Sequence, residues 1–192
     1  MNSFSEKYLN GLYSVLNEFP HENFDKMIQE IMTSYKEEKN IFVMGNGGSG
    51  STASHWTCDI NKGCCLHLEK KFKMICLNDN IPTMMAYAND VTYDDIFVEP
   101  MKNFFQPDDL VIGISGSGNS MNVLKAIDYA NNNNGRTIGL CGYEGGKLHD
   151  MVDIPLLARV NDMQKVEDVH MIIVHISMQA ISRELGTHSS IC

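Results

Sequence analysis

Apolar residues along this chain fall into two patterns that alternate from about residue 41. Continuous apolar runs near 41–44, 72–77, 109–114, 137–141 and 152–157 read as short strands buried on both faces. Between and after them, apolar residues recur at helical spacing near 49–61, 82–89, 94–104, 120–133 and 164–185. Strands alternating with helices imply right-handed crossovers and a parallel sheet covered on both faces. Two helical stripes come first: Phe4, Tyr8, Leu12, Val15 and Phe19, then Phe24, Met27, Ile28, Ile31 and Tyr35, with Pro20 between them. They precede the first strand and so are not crossovers; they cap the sheet or pack against another subunit. Pro82 suits a first helical turn, Pro100 interrupts its segment, and Asn131 to Asn134 before Gly135 mark a helix end. The expected fold class is α/β, a three-layer sandwich on a five-stranded parallel sheet. At 192 residues the chain allows one such domain, with a helical pair at 1–38, a core at 41–186 and a tail at 187–192.

Two of the strand-to-helix junctions are poor in side-chain bulk. After Ile41 to Met44 comes Gly45-Asn-Gly-Gly-Ser-Gly50, and after Leu110 to Ile114 comes Ser115-Gly-Ser-Gly-Asn-Ser120. Such a loop presents unpaired N–H groups at the positive end of a helix, which makes an anion site. Two of them in one small domain, the second with three hydroxyls, point to a phosphorylated small molecule. Both leave carboxyl ends of strands, so both belong on one rim, where such sheets bind ligands. Gly45-x-Gly47-x-x-Gly50 also fits a dinucleotide fingerprint, with Asn78-Asp79 where the ribose-binding acid would stand. That scheme leaves the serine loop without a task.

Composition narrows the partners. The net charge of −9 argues against nucleic acid and requires any phosphate to be held by local donors. No apolar run reaches membrane-spanning length, and Met1 to Lys7 lacks the apolar stretch of a signal peptide. The six cysteines show no CxxC spacing, which suits reduced thiols and a cytoplasmic location.

Candidate chemistry sits on two helices. His55 and Asp59 share a face at i, i+4 spacing just after the first loop, while Trp56 reads as core. The last helix carries Glu167, Asp168, His170 and His175 among valines and isoleucines, an expensive set to bury without a purpose. Glu167 lies roughly 12 Å along the axis from His175 by helix rise. If the two serve one metal or substrate, either Glu167 precedes the regular helix or they act in different subunits' sites. Asn89-Asp90, at the end of an apolar helix, is explained equally by a helix end.

Met44-Gly-Asn-Gly-Gly-Ser49, His55-x-x-x-Asp59, Ala88-Asn-Asp90, Gly113-Ile-Ser-Gly-Ser-Gly-Asn-Ser120 and Gln164-Lys-Val-Glu-Asp-Val-His-x-x-x-x-His175 together resemble the sugar isomerase (SIS) domain family. Within it they are most similar to the phosphoheptose isomerases, over nearly the whole chain. The resemblance implies a flavodoxin-like sandwich and conversion of sedoheptulose 7-phosphate to D-glycero-D-manno-heptose 7-phosphate, toward nucleotide-activated heptose. It implies a phosphate cradle of Ser115, Gly116, Ser117 and Ser120, and sugar contacts from Asn46, Gly47, Gly48, Asn89 and Asp90. It places His55, Asp59, Glu167 and His175 as ligands of a zinc ion, with Asp59, His175 and Glu167 also as catalytic groups. It further implies a homotetramer with sites at subunit contacts. Two departures stand out: the family usually has Glu at Asp59 and Gln at Glu167. The shorter Asp59 sets a base back by one methylene, and Glu167 adds a carboxylate that suits a divalent ion. Some relatives in this family are instead non-catalytic, binding a sugar phosphate or a protein partner such as a replication initiator.

Overall fold

The computed structural model describes residues 3–187. Each apolar run extends as a strand: β1 (Asn40–Gly45), β2 (Lys73–Cys76), β3 (Leu110–Ser115), β4 (Arg136–Gly142) and β5 (Ile154–Ala158). All four pairings are parallel, in the order β2-β1-β3-β4-β5. Gly45 pairs with Ile114, so the carboxyl ends of β1 and β3 are level. The order reverses between these two strands, which is where an open parallel sheet binds ligands. β2 lies at one edge, and the Asn61 side chain covers part of it by bonding both the N–H (3.3 Å) and the C=O (2.8 Å) of Met74.

The pleat divides the core. Ile41, Val43, Ile112 and Ile114 join one layer with α2 (His21–Glu37), α3 (Gly48–Cys58) and α8 (Met163–Glu184). Phe42, Met44 and Val111 join the other with α5 (Val98–Lys102), α6 (Met121–Asn132) and α7 (Gly146–Met151). Trp56 is fully buried, as a core residue. α1 (Phe4–Leu16) begins with a capping box, Ser3 and Glu6 bonding each other's backbone, and leans on α8. It buries none of its residues, and neither does α4 (Ile81–Asp90), which starts with Asn80 as cap and Pro82 in its first turn.

Three details depart from the sequence reading. The helix expected at 94–104 is two short pieces, a 3-10 turn at Tyr93–Asp95 and then α5, with Pro100 in the first turn of α5 where its missing N–H is harmless. α3 passes directly into a π-helical turn, Asp59–Cys64. α7 was not expected, since six residues between two strands carry no periodicity. Of the tail, Thr187 is buried and its hydroxyl donates to the Cys64 carbonyl at 2.9 Å; residues 188–192 lie outside the described residues.

Candidate functional site

The first loop is fixed by amides. Asn78, at the end of β2, donates to the Gly45 carbonyl at 2.7 Å and accepts from the Gly45 N–H at 3.2 Å. Its side chain holds the loop in place. Asn46 and Asn122 exchange two hydrogen bonds of 2.9 Å each, and the Tyr93 hydroxyl donates to Asn46 Oδ1 at 2.9 Å. Asn122 stands in the first turn of α6, which follows the second loop, and is buried. This pair therefore ties one loop to the other. Nothing in the sequence singled out Asn122 or Tyr93; two asparagines seventy-six positions apart give no local signal.

In the second loop Ser115 Oγ lies 3.0 Å from Ser120 Oγ, and the Ser120 side chain makes no capping bond to α6. Ser115 is buried, whereas Ser117 is exposed and accepts the Asn119 N–H at 3.2 Å. Gly116 is covered by Met163 and Val166 of α8. Gly118 needs its positive φ of 65°, and any side chain there would strike the Gly145 carbonyl. The Ser115 and Ser120 hydroxyls thus meet at the start of α6, in a loop that itself carries no acidic residue, a donor set that suits an anion.

α3 and α8 run side by side in the same direction, Gly48 beside Glu167 and His55 beside His175. α8 is regular from Met163, so Glu167 does not precede it, and one of the two expected arrangements falls away. Its polar residues go to separate places. The Glu167 carboxylate lies over Gly48. Asp168 accepts from the Tyr8 hydroxyl at 2.6 Å, and that bond, with the negative charge, pushes the Tyr8 phenol up to about 12. His170 is buried and bonds the Cys141 carbonyl at 3.1 Å; burial pushes its imidazole down to about 4.

His175 instead meets His55. Their Nε2 atoms are 3.2 Å apart, and His55 Nε2 is 3.3 Å from Asp59 Oδ2. His55, Asp59 and His175 present donor atoms within 4.8 Å of one another, the trio among the described residues with metal-ligand spacing. Two imidazoles facing nitrogen to nitrogen beside a carboxylate fit a zinc ion, which takes three protein ligands and an open position at catalytic sites. Glu167 stands apart from this trio. Two helical turns separate His55 from Gly48, about 10 Å by helix rise, so the trio sits below the rim that carries the loops. Asn89 and Asp90 are exposed, Asn89 donating to Asp90 at 2.7 Å. A groove of about 520 Å³ between α5, α6 and α7, lined by Lys125 and Tyr129 among others, holds none of these residues.

The SIS domain matches residues 6–142 of this chain. A phosphoheptose isomerase from Helicobacter pylori is 32% identical over 181 residues, 94% of this chain and 90% of that protein. Another from Citrifermentans bemidjiense is 32% identical over 161 residues, covering 84% of this chain and 83% of its own. The structure of a phosphoheptose isomerase from Francisella tularensis superposes with a TM-score of 0.85 at 24% identity, covering 95% of this chain and all 100% of that one, and shares the fold. Likeness that runs through both loops and both site helices makes this chain a member of the SIS domain family, among the phosphoheptose isomerases.

Proposed function

We propose that the protein is an aldose–ketose isomerase that interconverts sedoheptulose 7-phosphate and D-glycero-D-manno-heptose 7-phosphate. The observation that carries this reading is the convergence of His55, Asp59 and His175 within 4.8 Å, in a chain that also builds a hydroxyl-lined anion loop. Isomerisation removes a proton from the carbon beside a carbonyl and returns it to the neighbouring carbon. It needs a carboxylate base, a group that moves hydroxyl protons, and stabilisation of the enediolate. Asp59 takes the carbon-bound proton, and His175 carries the proton between the two sugar oxygens. Ser115, Ser117 and Ser120, with the N–H groups around Gly116, hold the phosphate so that C1 and C2 are positioned for transfer. Asn46, Gly47 and Gly48 face the sugar, joined by Asn89 and Asp90. A zinc ion held by His55, Asp59 and His175 would polarise the sugar oxygens.

The separation of trio and loops within one chain supports a homotetramer with sites at subunit contacts, where the trio of one subunit meets the loops of another. The bare apolar side chains on α1 and α4 support it too: Phe4 is 85% exposed and Met85 67%. The described cysteines are free thiols, which supports a reducing compartment and hence the cytoplasm. The test is conversion in D2O. Wild-type protein is expected to form product carrying solvent deuterium at C2, and Asp59→Asn to lose at least ~100-fold in rate. A wild-type protein that binds the heptose phosphate without converting it refutes the isomerase and favours a binding protein.

A further inference from the structure

The proposed chemistry leaves one polar residue of α8 without a task. His170 is 1% exposed, and its Nδ1 finds no hydrogen-bond partner among the described residues. A polar ring is kept in such a place at a cost. Its other nitrogen, Nε2, lies 3.1 Å from the Cys141 carbonyl oxygen. A carbonyl only accepts, so Nε2 carries the hydrogen and Nδ1 the bare lone pair. That carbonyl belongs to the peptide between Cys141 and Gly142, whose N–H donates to the Gly116 carbonyl at 2.9 Å. The Gly116 carbonyl in turn belongs to the peptide that carries the Ser117 N–H. A single hydrogen-bonded line therefore runs from the imidazole through two peptide groups into the serine loop.

The second of these peptides is the centre of a turn, closed by the Gly118 N–H on the Ser115 carbonyl at 2.9 Å. With its C=O held by Gly142, a trans peptide points its N–H the opposite way. Ser117 is exposed, and its N–H has no acceptor among the described residues. Reversing this peptide would require a positive φ at Ser117, whose φ is negative. We propose that His170 is a positioning residue for the phosphate cradle: its Nε2–H fixes the Cys141–Gly142 peptide, and through it the orientation of the Ser117 N–H toward the phosphoryl group. Each hydrogen bond in the line polarises the next, so the donor at the open end is strengthened as well as aimed. This rests on the reading of the serine loop as a phosphate site.

The test is the Kd of inorganic phosphate, by calorimetry, for wild-type protein, His170→Met and His170→Gln, each checked for its melting temperature. Met and Gln are alike in length, and only Gln brings an N–H to the Cys141 carbonyl. His170→Met is expected to weaken phosphate binding about tenfold, and His170→Gln to stay within about threefold of the wild type. Equal Kd values in the three proteins overturn the proposal, because packing alone would lower the melting temperature without changing affinity. Equal weakening in the two variants overturns it too, since Gln restores the donor. A wild type that does not bind phosphate overturns it together with the reading of the loop. Where His170→Met does not fold, the wild type carries the test: the NMR signal of the His170 Nε2–H proton is expected to move as phosphate saturates the protein, and a signal that stays in place overturns the proposal. Phosphate binding that separates the two variants, in a protein that does not convert sedoheptulose 7-phosphate, sinks the isomerase reading and leaves the role of His170 standing.

Discussion

The amide pair between Asn46 and Asn122 gives a prediction whose size follows from the structure. Asn122→Ala removes both 2.9 Å bonds to Asn46 and the acceptor of the Val123 N–H. A net ~1 kcal/mol for each of the two amide bonds, plus some loss for a buried group left unpaired, gives a destabilisation of about 2–3 kcal/mol. For a chain of this size that lowers the melting temperature by roughly 5–10 °C. The functional effect is separable. Freed of its partner, the Asn46 amide turns, and the first loop is no longer tied to the helix behind the phosphate cradle. We expect kcat to fall about tenfold to a hundredfold, because misplacing the sugar end relative to a held phosphate spoils the transfer geometry. The inhibition constant of inorganic phosphate should stay within about twofold, since the serine loop is untouched. Tyr93→Phe is the control: Tyr93 is 55% exposed and gives only one bond to Asn46, so its loss should leave stability nearly unchanged while lowering kcat a few-fold. If Asn122→Ala loses stability as expected but keeps wild-type kcat, the pair is structural and the positioning argument fails.

Two further outcomes follow. The His170 imidazole is held neutral by burial, pushed down to about 4, while in the unfolded chain it takes a proton near its ordinary value of 6.5. Its contribution is therefore complete above about pH 6.5 and is lost as pH falls toward 4, by up to about 3 kcal/mol; urea unfolding at pH 7 and pH 5 should show a slope that His170→Gln lacks, and parallel slopes would contradict it. Gly118→Ala puts a methyl group against the Gly145 carbonyl at a φ of 65°, so phosphate affinity should fall at least tenfold ahead of any loss of global fold; unchanged inhibition by phosphate would show that the loop adapts.

Much of this architecture is legible in the residues because the signals are periodic or local. Continuous runs such as Leu110 to Ile114, bounded by turn residues, read as strands buried on both faces, and the glycines and serines that follow them state the turn and its donors. The i, i+4 spacing of His55 and Asp59 likewise puts both on one helix face. What the sequence does not carry is which helix lies beside which. That α3 and α8 run in parallel decides that His175 joins His55 while Glu167 covers Gly48, and no spacing within either helix contains that information. Asn122 and Tyr93 carry no such signal for the same reason, since their partner Asn46 is distant in sequence, and the Asn78 position is legible only as part of a dinucleotide pattern, not as the amide that holds Gly45.

On the proposed function, His55, Asp59 and His175 form the reacting centre of a heptose phosphate isomerase. Turnover of sedoheptulose 7-phosphate tests it most directly, using purified protein stripped by a chelator, the same protein reloaded with Zn2+, and His175→Ala. We expect conversion that disappears on stripping, returns with zinc and is absent from His175→Ala. Conversion that persists undiminished in both the stripped protein and His175→Ala would contradict it.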